Sequence, residues 1–446
     1  MIRRRALWAG AAGAALGAIV GPRVARAGAP SIRRLANGLV VAVEEDHRAP
    51  RVGIAVAYDV GQRDDPPGYQ GLAHMVEHLL FQGSANVPED GHFKILERLG
   101  ATDQGGFTGL DRTIVYEELP AHAWGVGLWL ESDRMAYMLR HADERGVAMQ
   151  REVIRNEWRQ RGGDNAVPNR LALATQLMYP LGHPYRVEIP RLAGDEPSDL
   201  DAIGLAEVAW FFQRHHRPDR ANLAIVGDVE PAAAHALAET YFGSIRTVGP
   251  PAPPLRVRPP MLTKAIMGTV RTRGSRGALV SGWPTAPLGA VEDAALDVIA
   301  QHLSRADGPL HGPLVTQGRV LTFRARQASG ELGSMFFVEA MTERQQSVDD
   351  ALAVIDGALA TLQGGTLGEA RLRQLVNELV LDLLVSAEQP SARAVHLARR
   401  LTPLSEELDR YRRLDVATVD AVARQVLPRE RRVIVRVVPE PDGGTE

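Results

Sequence analysis

The feature that most limits the fold is the stretch VGPPAPPLRVRPP, residues 248–260, which sets six prolines in thirteen positions. Proline has no backbone N–H and a fixed φ, so neither a helix nor an interior strand runs through such a stretch. It divides a chain of 446 residues, and a chain that long exceeds what one hydrophobic core organises. We therefore expect one unit over residues 28–248, a proline-rich linker over 249–260 and a second unit over 261–446.

The two sides of this break carry the same kinds of element in the same order. In the first, LANGLVVAVEED and RVGIAVAYDVG are apolar runs bounded by Gly, Asn and Asp, which read as paired strands. Residues 71–82 have helical spacing, and DGHFKILERLG makes a short helix ended by Gly100. GGFTGLDRTIVYEELP returns to strand, AWGVGLWLESDRMAYMLRHA and ERGVAMQREVIRNEWRQRGG to helix, and ANLAIVGDVEP to strand. In the second, GALVSGWPT reads as a strand, EDAALDVIAQHLSR as a helix in the place of residues 71–82, and GSMFFVEAMTE as a strand. Two helices follow, VDDALAVIDGALATLQ and GEARLRQLVNELVLDLLVSAEQP, and RRVIVRVVPE closes the chain as a strand. Strand pairs alternating with helix pairs imply an α+β fold of two homologous domains, each a mostly antiparallel sheet packed with helices.

The N-terminus has a basic start (Arg3, Arg4, Arg5), a short apolar run from Ala6 to Val20 and an A-x-A site at Ala25–Ala27. This is the layout of a secretory signal, residues 1–27, cleaved after Ala27, with an uncleaved anchor and a twin-arginine signal as variants. Cleavage removes five arginines and no acid, taking the formal charge from −3 to −8. Lys94 and Lys264 are the only lysines and no long basic run remains, so no nucleic-acid partner is expected. No later segment is apolar for long enough to span a bilayer, which implies a soluble protein in the periplasm or another exported compartment. Without cysteine, a metal would have to be held by His, Asp or Glu.

Residues 71–83, GLAHMVEHLLFQG, contain such ligands. On a helix His74 and His78 project from one face one turn apart, with Glu77 on the adjoining edge. Zinc accepts imidazole and carboxylate ligands and keeps a position open for water in catalytic sites, where a neighbouring carboxylate serves as base. The pattern H-x-x-E-H arises by chance in roughly 2% of chains this long, so by itself it leaves an ordinary amphipathic helix open. A third ligand is also needed. An acidic helix downstream, AMQREVIRNEW, could supply one.

The motif and its surroundings resemble the pitrilysin and insulinase metallopeptidases, the inverzincins, which include mitochondrial processing peptidase. The likeness runs through NGLVV, GLAHMVEHLLFQGS, FTGLDRTIVYEELP, REVIRNEWRQR, HPYRVEIP, FFQRHHRPDRANLAIVGDVEP and YFGSI, over about residues 31–437. It implies one Zn²⁺ per chain held by His74, His78 and Glu157, with Glu77 as catalytic base. It makes Glu152 a surface residue and gives Gln150 a supporting place where relatives often have a glutamate. Phe107 and Thr108 would lie on a strand that pairs with an extended peptide substrate. The mid-chain break resembles the branch whose half-size subunits work in pairs, each forming half of a clamshell chamber.

Two departures bear on activity. Gly105 and Gly106 stand where relatives usually have Asn-Ala, leaving main-chain groups or a bulge at that place. Active relatives also carry an arginine and a tyrosine seven residues apart in the second half. In GPLVTQGRVLTFRAR those positions fall on Val315 and on Thr322 or Phe323, and neither Arg319 nor Arg324 has a tyrosine at that separation. The expectation is therefore the catalytic subunit of a zinc endopeptidase, with a second homologous subunit supplying the clamp and a homodimer ranked second. The alternative is a non-catalytic structural or binding subunit of the same fold. His183, His215 and His216 are read as turn or helix-end residues, and Trp124, Trp129, Trp158 and Trp210 as core or packing residues.

Overall fold

The structure, a computed structural model, describes residues 29–161, 170–186, 199–247, 249–250, 255, 257–272, 274–343 and 346–440. The expected signal segment, and residues 248, 251–254 and 256 at the expected linker, lie outside the described residues. The first half runs β1 (Ser31–Arg34), β2 (Val40–Glu45), β3 (Arg51–Tyr58), α1 (Leu72–Gln82), α2 (Gly91–Arg98), β4 (Asp103–Thr108), β5 (Thr113–Pro120), α3 (Trp124–Tyr137), α4 (Glu144–Arg161), α5 (Arg170–Met178), α6 (Leu205–His215), β6 (Ala221–Gly227) and α7 (Pro231–Phe242). The second runs β7 (Ile266–Thr272), β8 (Arg276–Thr285), α8 (Val291–Ser304), β9 (Thr322–Ala328), β10 (Ser334–Glu343), α9 (Val348–Gln363), α10 (Glu369–Ser386), α11 (Pro390–Arg400), α12 (Leu404–Arg412), α13 (Val416–Val426) and β11 (Val433–Pro439).

The sheets have the orders β1-β2-β6-β3-β5-β4 and β7-β11-β8-β10-β9. Apart from the added β1, the second order repeats the first strand for strand. In each, an early strand lies parallel to the last strand of the unit, β2 with β6 and β7 with β11, and the other neighbours are antiparallel. The repeat read from element order is thus a repeat of topology, with one parallel pair in each mostly antiparallel sheet. Strands β7 and β9 carry little sequence signal because both are edges. β7 alternates half-buried with exposed residues, and β9 exposes Thr322, Arg324 and Arg326.

Each sheet is covered on one face by helices of its own half and on the other by a helix from the opposite half. Leu39, Val41, Ile54, Val56 and Tyr58 pack under α1, α3, α6 and α7. The reverse face presents Ala42, Ala55, Ala57 and Ala224 to Ala394, Leu397 and Ala398 of α11. Small residues let this helix approach closely: a Cβ on Gly53 would lie 2.3 Å from the Pro390 carbonyl. Reciprocally, Ala174 and Met178 of α5 pack on Val280, Val433 and Val435 of the second sheet. Arg393 of α11 is bonded to Glu44 at 3.1 Å and Asp46 at 2.5 Å, so buried charge pairs reinforce the apolar exchange.

Candidate metal centre

The site is built on α1. Leu72, Met75, Val76, Leu79 and Leu80 commit one side of this helix to the first core, which turns His74, Glu77 and His78 toward α4 and β4. The chain enters through Gly71 at φ 98°, a left-handed conformation that glycine adopts without strain. The exposed N–H groups of the first turn are met by Asp65, whose oxygens accept from the Gly71 and Ala73 amides at 2.8 Å each. Burial pushes the Asp65 carboxyl up to about 7 against the pull of those two bonds. Nothing in the sequence spacing marks Asp65 as the cap, because it sits six residues ahead of Gly71 beyond a proline turn.

Helix α4 crosses α1 and brings Gln150, Ile154 and Glu157 inward at spacings of one turn. Ile154 is fully buried, and Trp158 lies over Gly71, where a Cβ would be 3.0 Å from the ring. Glu152 points away, with its side chain 59% exposed and paired with Arg155. The three donors converge: His74 Nε2 to His78 Nε2 is 3.2 Å, His78 Nε2 to Glu157 Oε1 3.5 Å and His74 Nε2 to Glu157 Oε2 3.7 Å. Ligands about 2.0–2.1 Å from a tetrahedral ion are separated from one another by about 3.3–3.4 Å, so the donor set fits zinc in both chemistry and spacing. His78 Nδ1–H donates to Gln150 Oε1 at 2.9 Å, a bond that leaves Nε2, the atom facing the other donors, unprotonated. A second set, Glu45, His47 and Glu230, is exposed on the surface, and His47 there is ion-paired with Glu45 and Asp228.

Glu77 is 7% exposed and accepts a 2.6 Å hydrogen bond from the Thr108 hydroxyl, which itself lies 3.2 Å from that of Thr113. Thr108 is the last residue of β4, an edge strand whose outer side no described strand pairs. The glycine pair forms no bulge: the register with β5 is continuous from Asp103 opposite Glu118 to Thr108 opposite Thr113. Gly106 is instead a place of close approach, since a Cβ there would lie 2.9 Å from the Phe81 ring. Phe107 is 43% exposed on the other face of the strand. The place of Thr108 on a strand was expected from the sequence, whereas its side-chain contact with Glu77 was not and is created only by the fold.

The remaining singled-out residues lie apart from this cluster. His183 accepts from the Tyr185 amide at 3.0 Å and stacks on Tyr179, as a turn residue does. His215 and His216 are buried in the first core, and burial lowers both to about 3. Trp210 is not a core residue: it is 48% exposed, with Arg214 over its ring. In the second half, Gly312–Thr316 forms one π-helical turn, and the Arg319 guanidinium donates to the Pro313 carbonyl and to Gln317.

Fold and site together define a two-repeat α+β protein with a His-His-Glu donor set on facing helices. Residues 40–182 match the family model described as insulinase (peptidase family M16), and residues 202–379 match the peptidase M16 inactive domain. The chain belongs to peptidase family M16. Zinc protease PqqE of Helicobacter pylori is 27% identical over 218 residues, 48% of this chain and 47% of that protein. The crystal structure of a protease from Helicobacter pylori superimposes with a TM-score of 0.83 at 21% identity, covering 92% of this chain and 99% of that one. The periplasmic protease PqqL from Escherichia coli gives 0.67 at 18% identity, covering 92% of this chain and 47% of its own. The aligned region spans less than half the length of the curated relatives it matches.

Proposed function

We propose that the chain is the catalytic subunit of a zinc endopeptidase that cleaves peptides or unfolded segments, acting with a second homologous chain. One observation carries the reading: three donor atoms of His74, His78 and Glu157 converge beside a buried Glu77 at the end of an open sheet edge. Zinc bound to those residues supplies Lewis acidity toward water and a substrate carbonyl. The chain's own groups do the rest. Glu77 accepts a proton from the attacking water and delivers it to the leaving amine. Thr108 orients the Glu77 carboxylate, and Gln150 keeps His78 in the tautomer that presents Nε2. Main-chain groups of residues 105–108 add an extended substrate as a further strand, with Phe107 beside it.

The partner is proposed from the second half, where the positions expected to carry a substrate clamp hold Val315, Thr322 and Phe323. The reading also places the protein in the periplasm or an equivalent exported compartment, with cleavage after Ala27. Among the described residues no helix is long and apolar enough to cross a membrane. The test is Glu77→Gln, a near-isosteric change that should abolish cleavage while zinc stays stoichiometric. Undiminished turnover would remove Glu77 from the base role. A purified chain with no stoichiometric zinc would favour the non-catalytic subunit instead.

A further inference from the structure

Four segments meet beside α1, and one of them comes from the second half. Arg63, in the 3₁₀ turn Gln62–Asp64, bonds Asp59 at 2.6 Å, Asp111 at 2.6 Å and Glu331 at 2.9 Å. Asp111 lies in the β4–β5 turn, where Gln62 and Arg63 also donate their amides to the Gly109 and Leu110 carbonyls at 3.0 Å each. Glu331 lies in the β9–β10 turn of the second half. Its carboxylate takes the Arg112 guanidinium at 2.9 and 2.8 Å, and its amide donates to Asp111 at 3.0 Å. Tyr185 closes the cluster, donating its hydroxyl to Asp111 and accepting from the Leu332 amide at 3.0 Å.

Both supports of the catalytic groups leave from this cluster. Two residues after Arg63, Asp65 caps the helix bearing His74, Glu77 and His78. Three residues before Asp111, Thr108 holds Glu77. The Arg63 and Asp111 side chains are only 6% and 7% exposed, so these charge pairs act where water screens little. We infer that Glu331, carried by the second half, is a positioning residue for the site in the first: through Arg63 and Arg112 it holds the β4–β5 turn against the start of α1, so that Thr108 meets Glu77. The inference rests on the peptidase reading and gives the second half a role inside its own chain.

Glu331→Gln takes away the charge that draws the two guanidinium groups together and leaves only weaker neutral hydrogen bonds; Arg63 keeps Asp59, Asp64 and Asp111, and the 19% exposed Arg112 side chain reaches water. The variant should therefore fold and retain zinc. Misplacing a catalytic group by about 1 Å costs on the order of 100-fold in rate. For an unstructured peptide we expect kcat to fall about 10- to 100-fold with KM within about threefold. Thr108→Val should show the same split, and the double variant should lose little more than either single one, since both act on one contact. Amide hydrogen exchange of residues 103–108, which needs no catalysis, should rise several-fold in Glu331→Gln. Unchanged exchange overturns the inference, as does raised exchange with unchanged kcat or a double variant whose losses multiply. If the wild-type chain, assayed together with its homologous partner chain, cleaves nothing, the peptidase reading and the catalytic claim fall together, and exchange alone still reports whether Glu331 holds the hairpin.

Discussion

Replacing Gln150 by alanine tests how the donor set is held. Gln150 is 5% exposed, and its Oε1 accepts the His78 Nδ1 proton at 2.9 Å. Without that acceptor the His78 proton is no longer confined to Nδ1, and the tautomer with Nε2 protonated cannot bind a metal. Loss of such a supporting bond typically weakens metal affinity 10- to 100-fold, or about 1.4–2.8 kcal/mol. The His78 side chain is 15% exposed, so water can partly replace the lost acceptor, and the lower end of the range is expected, about 10- to 30-fold. Glutamate at this position offers a charged acceptor, whose hydrogen bonds are about twice as strong, so Gln150→Glu should bind zinc as tightly as wild type or up to about tenfold tighter. Competition against a chromophoric chelator at fixed pH measures both variants, and circular dichroism confirms that they fold. An alanine variant with affinity within twofold of wild type would refute the argument that Gln150 sets the His78 tautomer.

Two further predictions concern stability. Gly53→Ala places a methyl group 2.3 Å from the Pro390 backbone, which must retreat by about 1 Å to reach ordinary contact. Overpacking costs about 1–3 kcal/mol, and a backbone neighbour puts this case at the upper end. Gly268→Ala meets only the tip of Leu177 at 2.9 Å and should be tolerated; equal urea midpoints for the two variants would contradict the close docking of α11. The buried histidines predict acid sensitivity. Burial lowers His92, His215 and His216 to about 3 each, below the value of about 6.5 expected in the unfolded chain. Between those values the unfolded state binds more protons, so this contribution is complete above about pH 6.5 and is lost as pH falls toward 3. Each histidine contributes up to about 1.4 kcal/mol per pH unit near pH 4–5, opposed in the same range by Asp65 and Asp297, whose carboxyls burial raises to about 7. Urea midpoints of wild type and of His92→Leu at pH 7, 5.5 and 4.5 isolate one ring's share, and the same pH dependence in both would show that His92 reaches solvent in the native state.

What the sequence determined by itself is local. The H-x-x-E-H spacing places His74, Glu77 and His78 on one helix because four residues make about one turn, and apolar runs bounded by turn residues marked the central strands β3, β5, β8 and β10. The proline-rich break and the repeated order of elements carried the two-fold repetition that the sheets display. Resemblance to a known family, not spacing, selected Glu157 over Glu152, and the crossing of α4 over α1 is what places it 3.5 Å from His78. The edge strands β7 and β9 escaped notice because half their residues face solvent and lose the apolar signature. Tertiary structure alone decided that Asp65 caps α1, that Thr108 turns its hydroxyl to Glu77, and that α5 and α11 cross to the opposite sheets. It also decided that Glu331, more than two hundred residues from Arg63 and Arg112, closes the network beside the site. Contacts between residues so far apart in the chain leave no periodic trace in the sequence. They arise only when packing of the two cores brings their turns together.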